Sequence, residues 1–259
     1  KNAARMANGL EPQGVANCLW AAASLREVAG PSSQIMVEAL AKHIPAKAQK
    51  MIPQHVSISL WAIACLQDAI PGVIDAVAAL SERTRDVAGR MAPQELSNCL
   101  WAAAKLKDVA PCVLCSVPDI AKRIPAQLED FTPQSLSVSL WVAADLKDDE
   151  PHVLCIVPTI ASCIPSRVND FSPRELSNCL WAAACLKLAA PAVLKAVPAL
   201  ARRVPAVVGD MLPQDVANCL VAASSLGAMP EVRRVLPALE EVDASVLVCL
   251  LREHRCCSP

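Results

Sequence analysis

Residues 93–106 read PQELSNCLWAAAKL, and residues 173–186 read PRELSNCLWAAACL. Versions of the same stretch start at Pro12 (PQGVANCLWAAASL), Pro53 (PQHVSISLWAIACL), Pro133 (PQSLSVSLWVAADL) and Pro213 (PQDVANCLVAASSL). The six prolines are spaced 41, 40, 40, 40 and 40 residues apart. Self-similarity at a fixed period across a whole chain marks a repeat array, in which each unit is one supersecondary structure that buries its apolar face against its neighbours.

The first half of each repeat reads as a helix. Proline at the first helical position loses nothing, because that N–H has no intrahelical partner and the fixed φ suits a helix. Thr132 and Ser172 stand as N-caps, and Ser172-Pro173-Arg174-Glu175 matches a capping box. Counting the proline as zero, Leu or Val recurs at +3, Leu at +7, a small residue at +11 and Leu at +13, on one broad apolar face. The helix is expected to run about 14 residues, roughly 21 Å.

The second half opens on Pro31, Pro71, Pro111, Pro151, Pro191 and, more loosely, Pro230. PCVLCSVPDIAKRIP, PHVLCIVPTIASCIP and PAVLKAVPALARRVP are one pattern. It reads as a second helix carrying Pro118, Pro158 and Pro198 in its interior, where each removes a hydrogen bond and kinks or breaks it. A further break is expected at Pro125, Pro165 and Pro205. Two helices per repeat, stacked side by side, predict an all-α fold: a right-handed α-solenoid of about six 40-residue helix-hairpin repeats. The repeats start near residues 12, 53, 93, 133, 173 and 213 in a single array over 1–259. Residues 1–11 read as the tail of a preceding repeat and 243–259 as a C-terminal capping helix, in line with the atypical ends of such arrays. Val221 stands in the last repeat where the others have Trp, which points to a Trp that packs toward the following repeat.

Composition agrees. The 259 residues are 54% hydrophobic and 19% charged, with mean hydropathy +0.37, as in an ordered chain. With 5 Trp, 2 Phe and no Tyr, the interior falls to Leu, Val, Ile and Ala, which suits closely packed helices. The 24 basic and 25 acidic side chains nearly cancel, against a strongly basic nucleic-acid wrapper. Every apolar run is broken by Pro or a charge before 18 residues, so no transmembrane segment is expected. Neither a secretory signal nor a transit peptide is read at the start. Thirteen Cys, an odd number in a long chain, point to free thiols in a reducing compartment.

Trp20, Trp61, Trp101, Trp141 and Trp181 recur at one position beside the apolar face, and are expected in the core between repeats rather than as base-stacking platforms. Cys112-Val-Leu-Cys115 is a CxxC, but no second pair stands at metal-ligand spacing, so no metal site is expected. Cys18, Cys99, Cys179 and Cys219 alternate with Ser59 and Ser139 at +6, a place for a small side chain. His43, His55, His152 and His254 share no recurring position with Asp, Glu or Ser, and no P-loop, dinucleotide turn, nucleophile elbow or zinc-protease motif is present. A non-enzymatic protein without a cofactor or small-molecule substrate is expected.

Positions +1, +5 and +12 vary between otherwise similar repeats and fall at about 100°, 140° and 120° on the helical wheel, in one stripe. They hold Gln13, Gln54, Gln94, Gln134, Arg174 and Gln214; Asn17, Ile58, Asn98, Val138, Asn178 and Asn218; and Ser24, Cys65, Lys105, Asp145, Cys185 and Ser225. Amides both donate and accept, which suits reading base edges, and two or three variable side chains per repeat is how modular single-strand readers work. Hydrogen bonding between neighbouring helices, or contact with a partner protein, accounts for the stripe equally well, and Ile58 and Val138 favour that account. A second row, Lys42, Arg83, Arg123 and Arg203 with Lys122 and Arg202 beside it, is placed to track phosphates or to serve as solvated charge.

The P-Q-E-L-S-N-C-L-W-A-A-A-K-L pattern, with its Phe-Ser-Pro and Phe-Thr-Pro openings, resembles the helical-hairpin repeats of octotricopeptide-type proteins. It is also similar to repeat regions associated with the RAP domain in algae, dinoflagellates and apicomplexans. The resemblance spans nearly the whole chain. It implies an organellar protein, of mitochondrion or chloroplast, that binds single-stranded RNA and acts in transcript processing, stability or translation. Some such proteins sit in organellar ribosomes. No RAP-like domain is read in this chain, and its net charge of −1 is low for an RNA binder. The alternative expectation is a structural scaffold subunit that grips protein through the same surface in a large organellar complex.

Overall fold

The computed structural model describes residues 7, 9–26 and 31–240, and among them every regular element is helical. The expectations for residues 1–6 and 8 and for a capping helix at 243–259 lie outside the described residues. The all-α helical-repeat architecture read from the sequence is the one observed. The first helices of the six repeats are α1 (Pro12–Ser24), α3 (Pro53–Leu66), α5 (Pro93–Leu106), α7 (Pro133–Leu146), α9 (Pro173–Leu186) and α11 (Pro213–Leu226). The second halves contribute α2 (Pro31–Lys47), α4 (Val77–Val87), α6 (Val117–Ala121), α8 (Val157–Arg167) and α10 (Val197–Arg203). The last repeat has the short α12 (Pro230–Arg233) and α13 (Leu236–Glu240). The chain divides into two compact units, Lys1–Gln127 and Leu128–Pro259. In the first, α1 packs on α3 and α3 on α5; in the second, α7 packs on α9 and α9 on α11.

Each first helix has its proline at the N-terminus, and the expected caps are present. Thr132 Oγ1 accepts from the Ser135 N–H at 3.1 Å. Ser172 Oγ accepts from the Glu175 N–H at 3.4 Å, while Ser172 N–H donates to Glu175 Oε2 at 2.8 Å. In the second to fifth repeats the residue two before the proline (Met51, Met91, Phe131, Phe171) is buried, as is the Leu or Val at +3, the two positions of a hydrophobic staple.

These helices are buried on most of their circumference. In α5 the buried set is Leu96, Ser97, Cys99, Leu100, Ala102, Ala103, Ala104 and Leu106, and in α9 the same eight positions are buried. The Ala run keeps the flanks thin enough for neighbouring first helices to approach, and the leucines fill the space toward the second helices. Each fully buried Leu contributes about 1.5–3 kcal/mol. The serine at +4 is buried too, and its hydroxyl is satisfied locally. Ser57, Ser97, Ser137 and Ser177 each donate to the carbonyl three residues back, at 3.0–3.1 Å.

Polar braces tie successive first helices. Gln67 Nε2 donates to the Lys105 carbonyl at 3.0 Å, and Lys187 Nζ donates to the Ser225 carbonyl and Oγ at 2.8 and 2.9 Å. Both donors occupy +14 of their repeat, and both acceptors lie in the last turn of the next first helix, where carbonyls lack intrahelical partners.

In the second to fifth repeats the second half is not one helix with its proline in the interior, whereas in the first repeat it runs as one α-helix from Pro31 to Lys47. Pro71–Ala76, Pro111–Ser116, Pro151–Ile156 and Pro191–Lys195 form 3₁₀ turns, and the α-helix starts afresh at Val77, Val117, Val157 and Val197. Pro118, Pro158 and Pro198 therefore stand in the first turn of a new helix, where a missing N–H costs nothing, and break no ladder. The reason is packing. A 3₁₀ helix stacks residues i and i+3, and Val73/Ala76, Val113/Ser116, Val153/Ile156 and Val193/Ala196 are buried pairs at that spacing. Ala78 replaces proline in the second repeat, yet the turn there is the same, so the buried pair and not the proline sets it. The further break holds for Pro125 and Pro205, which lie in 3₁₀ turns; Pro165 instead lies inside α8, and Pro45 inside α2.

One helical run among the described residues, Pro151–Asp170, is long and apolar enough by length and composition to cross a membrane. Its Val153, Ile156, Val157, Ile160 and Ile164 are the core of the fourth repeat.

Ser59 and Ser139 occupy the +6 position that Cys99, Cys179 and Cys219 fill elsewhere, and their buried hydroxyls have no partner. An orphaned buried hydroxyl costs about 1–3 kcal/mol. Ser139→Cys is thus expected to raise stability by about 1 kcal/mol, read as a higher urea midpoint with unchanged slope. A lower midpoint would show that the site at Ser139 lacks room for sulfur.

Candidate nucleic-acid interface

Burial on the first helices leaves one exposed line. In α5 it runs Gln94, Asn98, Trp101 and Lys105; in α9, Arg174, Asn178, Trp181 and Cys185. The spacing is +1, +5, +8 and +12, which is i, i+4, i+7 and i+11 on a single helix face.

The tryptophans at +8 are therefore not core. Trp20 is 51% exposed, and Trp61, Trp101, Trp141 and Trp181 are half-buried. Within the first compact unit the Trp61 and Trp101 rings lie 6.4 Å apart with planes inclined 33°. Within the second, Trp141 and Trp181 lie 6.4 Å apart at 28°. Each indole covers part of its neighbour's, which explains why the residue recurs without being buried: the partner across the repeat boundary is another copy of itself. The sequence held the signal, since +8 falls at about 80° on the wheel, next to the stripe positions. The invariance that points to burial comes instead from ring-on-ring contact, and the rings remain partly exposed.

The amides of the stripe are joined to one another. Gln94 Nε2 donates to Asn98 Oδ1 at 3.0 Å and Gln214 Nε2 to Asn218 Oδ1 at 3.2 Å. Asn218 Nδ2 donates in turn to Asn178 Oδ1 of the preceding repeat, at 3.2 Å. Gln13, Asn17, Gln54, Gln134, Arg174 and Gln214 are exposed, Asn98, Asp145 and Asn178 half-buried, and Asn218 buried. Ile58 and Val138 are half-buried in the same line. Lys105 Nζ stands 6.0 Å from the Trp101 ring centroid, one helical turn on, within cation–π range.

The basic residues of the second halves lie elsewhere and divide by role. Arg83 is half-buried: its Nε donates to the Met51 carbonyl of the preceding linker at 2.9 Å, and Nη1 lies 3.6 Å from Asp86. The exposed guanidinium of Arg123 lies beside Gly89 in the next linker along, where a β-carbon would stand in ordinary contact, 3.5 Å from Nη2. Arg203 is half-buried, with its Nε unpaired. Lys42, Lys122, Arg123 and Arg202 are exposed. The row is thus an inter-repeat brace at Arg83, with Lys42, Lys122, Arg123 and Arg202 as its solvent-facing charges.

Among the described residues no group of three or more His, Cys, Asp or Glu side chains is placed to hold a metal ion. The face built by the first helices is one of amides and indoles, which offers flat apolar platforms beside groups that both donate and accept. No family model matches the chain, and no curated protein matches it.

The exposed placement of the indoles predicts that a neutral quencher such as acrylamide reaches them in the folded chain, with emission red-shifted toward that of solvated indole. Blue-shifted, quencher-resistant emission would return the tryptophans to the core.

Proposed function

We propose that this chain is a non-enzymatic, single-stranded RNA-binding repeat protein of an organelle, mitochondrion or chloroplast, acting in RNA processing, stability or translation. The observation that carries the reading is the pair of half-exposed tryptophans set within the amide stripe of each compact unit. A face serving only solubility carries Lys and Glu, and a packed interior buries its indoles; neither applies here. Aromatic side chains that present a π-face are sequence-tolerant platforms for bases, contributing about 1–3 kcal/mol per stacked base. The neighbouring Gln and Asn side chains supply donors and acceptors for base edges. The resemblance to octotricopeptide-type and RAP-associated repeats supports both the ligand and the organellar setting.

In this reading Trp61, Trp101, Trp141 and Trp181 stack on bases, and Gln13, Asn17, Gln54, Gln94, Asn98, Gln134, Arg174, Asn178, Gln214 and Asn218 line the same face. Lys105 and Asp145 tune the local charge. Lys42, Lys122, Arg123 and Arg202 are the exposed phosphate contacts, while Arg83 chiefly braces its repeat against the preceding linker and Arg203 is half-buried. Phosphate contacts are few, so stacking has to supply most of the affinity, and the salt dependence is shallow.

A second reading, a scaffold subunit that grips protein on the same face, is favoured by the net charge of −1 and by the Asn178–Asn218 bond, which uses stripe groups internally.

Fluorescence anisotropy with short single-stranded RNAs, from about 50 to 300 mM salt, separates the two. Micromolar or tighter binding is expected, weakened by about 1–3 kcal/mol when Trp101→Ala is introduced and again with Trp181→Ala. A folded Asn98→Ala/Asn178→Ala variant is expected to lose affinity and base preference together. No binding at the low-salt end, or unchanged affinity in the folded tryptophan variants, would overturn the RNA reading and leave the scaffold.

A further inference from the structure

The Cys112-Val-Leu-Cys115 motif belongs neither to the exposed line of the first helices nor to the basic row. Its setting is the 3₁₀ turn Pro111–Ser116, in the second half of the third repeat. A 3₁₀ helix has three residues per turn, so its side chains form three rows, each joining i to i+3. Burial follows those rows: Val113 and Ser116 are buried, Pro111 and Leu114 exposed and half-buried, and Cys112 and Cys115 both exposed. The inner row fixes the turn in the core, through the Val113 N–H to Ala110 carbonyl bond at 3.0 Å and the Ser116 Oγ to Val113 carbonyl bond at 2.9 Å. The two cysteines are left stacked on the outer row. At about 2 Å rise per residue their α-carbons are about 6 Å apart. Disulfides span roughly 4.4–6.8 Å between α-carbons, with a mode near 5.5–6 Å.

We propose that Cys112 and Cys115 form a vicinal dithiol that closes reversibly to an intramolecular disulfide, a redox-modification site whose oxidant is a low-molecular-weight disulfide of the glutathione type. The pair is particular to this repeat. The corresponding residues are Gly72 and Asp75, His152 and Cys155, and Ala192 and Lys195.

The surroundings set the order of events. Partial burial pushes the Cys115 thiol up from its ordinary range, and the charge of Arg85, reaching over from α4 in the preceding repeat, offsets part of that. Arg85 is itself held by Asp119, with Nε to Oδ2 at 3.1 Å. Both thiols are exposed, and the surroundings of Cys115 disfavour its ionisation, so Cys112 is the first nucleophile. Its thiolate attacks one sulfur of the oxidant, the oxidant's S–S bond breaks, and one glutathione leaves as thiolate. Cys115 then gives its proton to solvent and attacks Cys112 Sγ, which expels the second glutathione. Two protein thiols are oxidised to one disulfide, and one glutathione disulfide is reduced to two thiols. The disulfide is neutral, so closure removes the burial penalty that an ionised Cys115 would carry. Cys99, Cys179 and Cys219 contrast with this pair. Burial pushes all three thiols up, Cys219 to about 12, and keeps them protonated and out of reach.

The test uses the full chain. It is incubated native with glutathione disulfide, blocked with iodoacetamide and digested with trypsin. Cleavage after Lys107 and Lys122 yields a peptide, Asp108–Lys122, that contains Cys112 and Cys115 and no other cysteine. The expected product is this peptide without alkylation and lighter by two hydrogens than its reduced form, with dithiothreitol restoring two alkylatable thiols. Cys115→Ser is expected to trap a glutathione adduct on Cys112, whereas Cys112→Ser leaves Cys115 largely unmodified. A wild-type peptide that stays doubly alkylated, that retains a glutathione adduct, or that links to another cysteine peptide would overturn the proposal. RNA binding enters none of these readouts, so the site stands or falls apart from the proposed function.

Discussion

The near approach of neighbouring first helices is the contact on which the rest of the structure depends. It is allowed by the run of small residues at +9 to +11, Ala102-Ala103-Ala104 in α5 and Ala182-Ala183-Ala184 in α9, all buried. A helix flanked closely on both sides, as α3 and α9 are within their compact units, and covered on a third by its own second helix, has one line left for solvent. That line is +1, +5, +8 and +12 in every complete repeat. Within each compact unit neighbours are in register, so the line of one repeat lies beside the line of the next, and a surface of repeated side chains follows without any residue having been placed for it singly.

Burying so much of a helix raises a polar question at each end and at each hydroxyl, and the repeats answer it with the same few bonds. Ser57, Ser97, Ser137 and Ser177 return their hydroxyls to the preceding turn. Gln67 and Lys187 reach carbonyls in the last turn of the next first helix. Asp215 is buried at the start of α11, yet it accepts from the Leu212 N–H at 3.0 Å and from Ser177 Oγ of the preceding repeat at 3.1 Å. Each of these bonds is modest, on the order of 1 kcal/mol net, but each acts across or beside a repeat boundary. In a quasi-one-dimensional fold the boundary terms decide whether the stack holds.

The tryptophans illustrate how a repeat can conserve a residue without burying it. An indole in the exposed line of one repeat meets the indole of the next, and changing one leaves the other with an uncovered face. Two stacked pairs, one in each compact unit, are therefore structural and available at once. The RNA reading rests on that double character. The same rings that give the stripe its cohesion keep part of their π-surface free.

Much of this was legible in the residues. The 40-residue period, the N-terminal prolines, the Thr132 and Ser172 caps and the amide line at +1 and +5 all follow from local chemistry, because caps, propensities and helical phase are properties of a few consecutive residues. The tryptophan exposure, the 3₁₀ start of the second half in the second to fifth repeats, the bracing by Arg83 and the shared outer row of Cys112 and Cys115 were decided only by tertiary structure. Each depends on which side a neighbouring repeat covers. Proline at 118 reads as a helix breaker in one dimension; in the fold the buried Val113/Ser116 pair has already ended the turn before it, and the proline merely begins the next helix. Sequence carries the phase of a helix, and packing selects which phase faces water.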